Sequence, residues 1–212
     1  MQQVYIHGLG QTSESWKQTI LRLKTKEHVI CPGLADMVQT GEADYKNLYS
    51  SFSDLCNKLD KPIDLCGLSL GSVLTLNYTI DYPDRVRSLV LIAPQYKMPK
   101  KLLKFQNVVF RFMPKSMFQS TGFEKTDFIQ LCQSMMELDF SRSIDKISCP
   151  VMVICGSKDS ANKKAAIELN GILKNGVLKV ISNSGHEVNI DAPEKLAKLL
   201  SAFYERVEKL GC

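Results

Sequence analysis

The sequence predicts an α/β protein in which a mostly parallel sheet carries helices on both faces. Six short apolar runs, rich in Val, Ile, Leu and Cys, have the composition of strands that are buried on both sides. Amphipathic stretches separate most of these runs, and strands that alternate with helices form parallel sheets. The six predicted strands are residues 3–6, 28–31, 63–66, 88–92, 151–155 and 177–181.

The composition is that of an ordinary globular chain. The chain has 212 residues, 44% hydrophobic and 23% charged, and this length suits one domain with a small insertion. No apolar run approaches the roughly 18 residues of a membrane span, and the first residues lack the pattern of a secretory signal. The net charge of +5 is modest and has no nucleic-acid recognition motif beside it. We therefore expect a cytoplasmic protein that neither inserts stably into membranes nor binds nucleic acid.

The cysteines give no sign of a metal site. Their number is odd, and neither a C-x-x-C pair nor the spacing of zinc ligands is present. Several lie inside apolar runs, as Cys66 and Cys155 do, which is typical of buried free thiols in a reducing cytosol. A catalytic cysteine stays open as the alternative. The seven are Cys31, Cys56, Cys66, Cys132, Cys149, Cys155 and Cys212.

One long segment interrupts the alternation of strands and helices. Almost sixty residues separate Ile92 from Val151, too many for one crossover connection. We predict that residues 95–148 form a helical lid, inserted into a core made of residues 1–94 and 149–212. The insertion holds seven of the nine Phe and five of the eight Met, which favours an apolar underside lining a pocket. Alternatively, these side chains only attach the insertion to the core.

The clearest chemical signal is the sequence G-L-S-L-G at residues 67–71. It follows the predicted strand 63–66 and precedes a helical stretch, the context in which G-x-S-x-G forms a nucleophile elbow. In so sharp a turn, a side chain at either glycine would clash with neighbouring backbone. The strained turn exposes the serine hydroxyl at the carboxyl edge of the sheet. The flanking strand and helix favour this interpretation over an ordinary glycine-rich turn, so we predict Ser69 as a nucleophile.

A serine hydroxyl needs a base near neutral pH, and the chain has three histidines. His186 follows the last predicted strand, so its loop emerges at the same sheet edge as Ser69. His28 opens a predicted strand, and His7 belongs to the loop after the first strand. Only His186 also fits the chain order of serine, acid and histidine found with nucleophile elbows. We therefore predict His186 as the base.

The imidazole in turn needs a carboxylate that fixes its tautomer and stabilises its protonated form. Asp159 follows the strand predicted at 151–155, whereas the strand predicted at 88–92 leads into Ala-Pro-Gln without an acid. This elimination favours Asp159. The alternative is that Asp159 only caps the following helix. Asp191 is the other nearby carboxylate, and we expect it to start the last helix.

Two backbone N–H groups are expected to form an oxyanion hole. One belongs to Leu70, next to the nucleophile. The other belongs to Leu9, in the sequence H-G-L-G at residues 7–10, where small residues let a substrate oxygen approach the backbone. The H-G-x-G pattern is weak alone and gains weight in combination with the elbow.

These motifs together resemble the α/β-hydrolase family. The resemblance covers essentially the whole chain except the lid, and it implies the α/β-hydrolase fold. Members usually have two further strands before the strand that leads into H-G. Here that strand is the first predicted one, so the resemblance implies about six strands rather than eight. The matching segments are His7-Gly8-Leu9-Gly10, Trp16, Gly67-Leu68-Ser69-Leu70-Gly71, Tyr82-Pro83-Asp84-Arg85-Val86, Leu89-Val90-Leu91-Ile92, Gly156-Ser157-Lys158-Asp159 and Gly185-His186.

The resemblance also implies a function. We expect a serine hydrolase that cleaves small-molecule esters of small to medium acyl chain through an acyl-enzyme, without cofactor or metal. The fold hosts other chemistries, so a thioesterase, a C–C hydrolase or an acyltransferase stays open. A ligand-binding protein that has lost catalysis is a further alternative. The natural substrate and the oligomeric state are left open.

The start of the insertion is both basic and amphipathic. Leu102, Phe105, Val109 and Phe112 recur at helical spacing, and we predict that Phe105, Val109 and Phe112 line the substrate pocket. Either the charges form only a solvated face, or they attract an anionic substrate, an acidic carrier protein or an anionic membrane surface. No Asp or Glu interrupts the cations, which are Lys97, Lys100, Lys101, Lys104, Arg111 and Lys115.

Overall fold

The sheet is parallel throughout and has six strands in the part of the chain described. The computed structural model describes residues 1–24, 28–38, 42–60 and 62–211. The strand order is β2-β1-β3-β4-β5-β6, and each neighbouring pair is parallel. The strands are β1 (Gln3–Ile6), β2 (Val29–Ile30), β3 (Ile63–Leu68), β4 (Val86–Ile92), β5 (Val151–Gly156) and β6 (Gly176–Ile181).

All six predicted strands are therefore confirmed, with small differences at their ends. The largest difference is at β2, which has two residues instead of the four expected at 28–31. His28 cannot extend this strand because its φ of 69° lies in the left-handed region. The prediction of a mostly parallel sheet is confirmed and becomes more specific, since no antiparallel pair joins these six strands.

Helices fill most of the connections between strands. The helices are α1 (Lys17–Ile20), α2 (Tyr45–Asn57), α3 (Leu70–Asp81), α4 (Lys100–Phe112), α5 (Ser116–Gln119), α6 (Lys125–Ser134), α7 (Ser160–Ile172), α8 (Val188–Asp191) and α9 (Pro193–Lys209). Single 3₁₀ turns occur at Ser13–Trp16, Asp36–Val38, Pro83–Arg85 and Ile144–Lys146. Local chemistry explains several helix starts: the Asp44 carboxylate accepts the Asn47 N–H at 2.8 Å, and Pro193 opens α9.

The two faces of the sheet bury separate apolar layers. Side chains alternate across a strand, so Val4 and Ile6 enter one layer while Tyr5 enters the other. The first layer includes residues of α2, α3 and α7, and the insertion packs on it. The second layer includes Trp16 and the apolar side of α9. The nearly continuous apolar sequence of the strands follows from this burial on both sides.

A buried ion pair links the two central strands. The Arg87 guanidinium in β4 donates to the Asp64 carboxylate in β3, with Nε 3.0 Å from Oδ1. The hydroxyl of Ser88 donates to the same carboxylate at 2.6 Å. The side chains of Arg87 and Asp64 are 4% and 0% exposed. The charges are thus paired inside the protein, where an unpaired charge is costly.

The long segment between β4 and β5, which the sequence predicts to be an insertion, contains three helices. Residues 95–148 contain α4, α5 and α6, and α4 packs against α6. A single antiparallel bridge between Lys97 and Asp139 joins the two ends of the insertion. Aromatic rings hold it together, because Phe110, Phe118 and Phe128 contact one another edge to face. Aromatic side chains therefore do attach parts of the insertion to each other.

Candidate active site

Ser69 occupies a strained turn between β3 and α3. Its φ of 54° and ψ of −115° are unfavourable for a residue with a side chain, and such strain concentrates at functional sites. The two flanking glycines are a steric requirement. A Cβ at Gly67 would lie 2.2 Å from the Gly71 carbonyl oxygen, and a Cβ at Gly71 would lie 2.2 Å from the Ile6 carbonyl oxygen. The turn therefore excludes any residue except glycine at both positions.

Asp159 and His186 form a hydrogen-bonded pair. The imidazole Nδ1 lies 2.9 Å from Asp159 Oδ2, which leaves Nε2 as the nitrogen able to accept a proton. The Asp159 side chain is 4% exposed and the His186 side chain 41%, so the carboxylate is buried while the imidazole is partly exposed to solvent. Burial acts to raise the pKa of the Asp159 carboxyl. The hydrogen bonds from His186 and Asn162 outweigh burial and lower this pKa below the ordinary value.

Ser69, Asp159 and His186 line one cavity of about 520 Å³. Within the described residues, the Ser69 hydroxyl makes no hydrogen bond, so the predicted nucleophile and the predicted base line the same cavity without a hydrogen bond between them. Such contacts are often longer when no substrate is bound. Apolar side chains dominate the remaining wall. They are Leu9, Leu70, Val73, Ala93, Met98, Pro99, Leu102, Leu103, Phe110, Met113, Met117, Phe118, Phe128, Cys132, Met135 and Ala161.

Leu9 and Leu70 also line this cavity. Neither backbone N–H group donates a hydrogen bond within the described residues. Leu70 is the first residue of α3, where backbone N–H groups lack partners in the helix. Gly8 keeps the other loop close, because a Cβ there would lie 3.3 Å from the Ser69 Cβ. Both residues predicted to supply the oxyanion donors thus line the cavity, and their role as donors stays a prediction.

His7 shapes the loop after β1 and is not available as a base. Its Nε2 accepts the Leu34 N–H at 3.1 Å, so the ring proton sits on Nδ1, which donates to the Gly8 carbonyl at 2.9 Å. Burial lowers the pKa of His7 and keeps the ring neutral. His28 is exposed and outside the cavity lining. Of the three histidines, only His186 lines the cavity.

Two polar contacts escaped the sequence analysis. Asn162 donates to both oxygens of Asp159, at 2.9 and 3.0 Å, and so orients the acid. Gln11 donates to Glu187 at 2.9 Å and to Asn189 at 3.2 Å, which ties the loop after β1 to the loop of His186. The contact between Asn162 and Asp159 could have been predicted, because Asn162 follows the helix-capping Asp159 by three positions. The second had no local signal, since its partners are far apart in the chain.

Asp191 has a different position from the one predicted. It is the last residue of α8 rather than the start of α9. Its Oδ2 accepts the Gly185 N–H at 2.6 Å, and Gly185 directly precedes His186. The difference arises because α9 begins at Pro193 with Ala192 as its N-cap. The Asp191 carboxylate therefore does not cap α9 and instead points toward Gly185. Asp191 thus supports the backbone of the histidine loop instead of contacting the imidazole.

The prediction that Phe105, Val109 and Phe112 of α4 line the pocket is wrong. Phe105 and Phe112 are 65% and 85% exposed, Val109 is exposed as well, and none of the three lines the cavity. The cavity instead receives Leu103 and Phe110. The helix carries apolar residues on two faces, and periodicity alone cannot say which one meets the core. Contacts of Phe110 with the rings of Phe118 and Phe128 decide the orientation.

Four of the cysteine thiols have a raised pKa, which makes them poor nucleophiles. Burial raises the pKa of Cys31 and Cys56 to about 12 and that of Cys132 and Cys155 to about 11, whereas reactive cysteines have a lowered pKa. Cys31, Cys56, Cys66, Cys132 and Cys155 are free cysteines, and Cys212 lies outside the described part of the chain. No group of three or more potential metal ligands occurs among the described residues.

Similar proteins were found by sequence and by structure. The chain is 23% identical to an (E)-2-((N-methylformamido)methylene)succinate hydrolase of Acinetobacter baylyi, over 95% of this chain and 89% of that protein. It is 24% identical to the monoacylglycerol lipase ABHD6 of Homo sapiens, over 95% and 74% of the two chains. The structure of a thermophilic esterase from Thermogutta terrifontis superposes with a TM-score of 0.79 at 19% identity, covering 98% and 90% of the chains.

The six-stranded parallel sheet with helices between its strands defines an α/β class of protein. The model of the alpha/beta hydrolase family matches residues 3–199. The chain belongs to this family, and the resemblance stated from its motifs is confirmed. Esterases and lipases among the relatives support an enzyme that hydrolyses esters.

Proposed function

We propose that this protein is a serine hydrolase that cleaves carboxylic esters of small to medium acyl chain through an acyl-enzyme. The observation that carries the proposal is one apolar cavity bordered by Ser69 on its strained turn and by the Asp159–His186 pair. A nucleophile, a base and an acid that orients the base are the parts that acyl transfer by serine requires.

The proposed mechanism follows from the positions of these groups. His186 Nε2 takes the Ser69 proton as the serine oxygen attacks the ester carbonyl. The N–H groups of Leu9 and Leu70 stabilise the oxyanion of the tetrahedral intermediate. His186 then protonates the leaving alcohol and afterwards activates the water that releases the acid. Asp159 stabilises the imidazolium in both stages, and its lowered pKa keeps it ionised while it does so.

The wall of the cavity supports an acyl group as the bound part of the substrate. Apolar side chains from separate segments line the cavity, among them Leu103 and Phe110 of α4, Met135 directly after α6, and Val73 of α3. A cavity of about 520 Å³ accommodates a small-molecule ester. Hydrolysis of a thioester or a C–C bond, or acyl transfer to another acceptor, uses the same catalytic groups, and product analysis separates these outcomes.

The proposed location is the cytoplasm. The free thiols of Cys31, Cys56, Cys66, Cys132 and Cys155 support a reducing compartment. Among the described residues, no helix has the length and apolar character to cross a bilayer.

The decisive experiment is covalent labelling with a fluorophosphonate. Native protein should be labelled, Ser69→Ala should not be, and Ser50→Ala, an exposed serine of α2, should be labelled like the wild type. Ser69→Ala should also lower kcat for p-nitrophenyl esters by roughly 10⁴-fold or more. A native protein that resists the label and cleaves none of a panel of esters and thioesters would remove the basis for the proposal.

A further inference from the structure

The outer face of α4 is apolar and has no partner in the described chain. We use this name for Leu102, Phe105, Val108, Val109 and Phe112. All five side chains are exposed, and Phe112 reaches 85%. They succeed one another at intervals of three, three, one and three positions, so they form one continuous strip on the helix. A continuous exposed apolar surface on a globular protein marks an interaction site.

The opposite face of the same helix is already used by the fold. Leu103 and Asn107 are buried, and Phe110 packs on rings of the insertion. The outer face therefore cannot rotate inward without exposing these side chains. Whatever covers the outer face comes from outside the described residues.

Cations border the outer face. Lys97 and Lys100 are paired with Asp139 and Glu137 at 3.1 and 2.5 Å. Within the described chain, the other four cations between positions 97 and 115 form no ion pair. These four are Lys101, Lys104, Arg111 and Lys115. An apolar strip edged by uncompensated positive charge fits a surface that is apolar within and anionic at its boundary.

The outer face is continuous with the cavity. Leu102 belongs to the strip and also lines the cavity that holds Ser69. Met117 is likewise 58% exposed and lines the same cavity. Exposed apolar side chains of the insertion thus reach the wall of the cavity that Ser69 also lines.

We propose that the outer face of α4 docks on an anionic lipid surface. The rings of Phe105 and Phe112 enter the boundary between headgroups and acyl chains, while Lys101, Lys104 and Arg111 contact anionic headgroups. An amphiphilic molecule leaving the surface can then pass along Leu102 into the cavity. A second copy of the chain fits this face less well, because a symmetric contact places the same cations against each other. The docking rests on exposure and charge alone, so it does not depend on the proposed hydrolysis.

The test is co-sedimentation of the full chain with lipid vesicles. One set is pure phosphatidylcholine, and the other contains about one third phosphatidylglycerol, a mixture whose anionic surface attracts basic segments. Wild type and Ser69→Ala should sediment equally with the anionic vesicles and remain in solution with the neutral ones. Because Ser69→Ala carries the binding test without catalysis, failure of docking and failure of the proposed hydrolysis are distinguishable.

Two sets of variants locate the contact. Lys101→Gln with Lys104→Gln and Arg111→Gln should weaken binding to anionic vesicles on the order of a hundredfold, roughly fivefold for each charge. Phe105→Ser with Phe112→Ser should weaken it by about tenfold or more. The matched controls, Lys58→Gln with Lys174→Gln and Lys209→Gln, and Ile167→Ser with Ile172→Ser, change exposed residues elsewhere and should bind as wild type.

Three results would overturn the proposal. Wild type that ignores anionic vesicles has no such surface. Equal binding to neutral and anionic vesicles excludes the role of the cations. If Phe105→Ser with Phe112→Ser converts a dimer into a monomer in sedimentation velocity while vesicle binding is unchanged, the outer face is a contact between copies of the chain instead.

Discussion

The backbone at Ser69 shows how a few atoms set the chemistry of the whole site. The left-handed φ of 54° persists because Gly67 and Gly71 let three backbone segments approach one another. A Cβ at Gly67 would meet the Gly71 carbonyl oxygen at 2.2 Å. That carbonyl is backbone and cannot move aside as a flexible side chain would.

We therefore expect Gly67→Ala to lower the free energy of unfolding by about 3 kcal/mol or more, as severe overpacking does. Gly171→Ala is the matched control, because nothing lies within 4 Å of a Cβ there and Gly171 is inside α7. Alanine at that position should stabilise the protein by about 0.5–1 kcal/mol. Urea unfolding of both variants measures the difference, and equal stabilities would contradict the close approach at the elbow.

The two carboxylates near His186 have distinct expected roles. Asp159→Asn should leave the fold intact and lower kcat by roughly 10⁴-fold, because an amide favours the wrong imidazole tautomer. Asp191→Asn should lower kcat far less, since an amide oxygen can still accept the Gly185 N–H. Steady-state kinetics on one ester, with circular dichroism as the control for folding, tests this order. A larger loss of kcat from Asp191→Asn than from Asp159→Asn would show that Asp159 is not the catalytic acid.

Among the elements, β3 and β4 are joined by more than their ladder. The Asp64–Arg87 pair is buried between them, and Ser88 also donates to the Asp64 carboxylate. A buried charge that loses its partner is far more costly than a pair that is absent altogether. The pair therefore adds a side-chain contact between the strand that leads to Ser69 and its neighbour.

Asp64→Leu alone should lower the free energy of unfolding by about 3–5 kcal/mol, because Arg87 would be left charged and unpaired. The double variant with Arg87→Met should recover most of this loss. Glu194→Gln breaks an exposed pair with Lys198 in α9 and should have no measurable effect. Equal unfolding midpoints for Asp64→Leu and the double variant would show that the unpaired charge of Arg87 is not the cause of the loss.

The orientation of helix α4 could not be predicted from the spacing of its own apolar residues. Phe105, Val109 and Phe112 have the spacing of a packed helix face. Leu103 and Phe110 lie on another face of the helix and fit a packed position equally well. Four rings of the insertion settle the matter, since Phe110, Phe118, Phe123 and Phe128 form one aromatic group. The choice depends on segments that fold against the helix, which its own periodicity does not contain.

At the scale of the whole molecule, the insertion and the core form the cavity together. Met113 after α4 lines this cavity, while the adjacent Phe112 points to solvent. Met113→Trp should shorten the apolar space and lower kcat/KM for long acyl esters by about tenfold or more relative to short ones. Phe112→Trp should leave the chain-length profile of soluble esters unchanged. The same profile in both variants would show that acyl chains do not reach this part of the cavity.

A network of polar contacts also operates at this scale. Gln11 bonds to Asn189 across 178 positions of sequence and holds the loop of one proposed oxyanion donor against the loop of His186. Asn189 also donates to the Ser15 carbonyl. Each group alone is an ordinary polar residue, and only the meeting of two distant loops gives it a role.

The sequence by itself determined the order of strands and helices, the parallel sheet and the strained turn at Ser69. These features follow from local chemistry, namely apolar runs that suit burial on both faces and glycines that a sharp turn requires. It also placed Asp159 and His186 at the carboxyl ends of strands, which meet at one edge of a parallel sheet. Their hydrogen bond, the orientation of α4 and the Gln11–Asn189 contact were decided by the tertiary structure alone. Each depends on which distant segments pack together, and no short stretch of sequence carries that information.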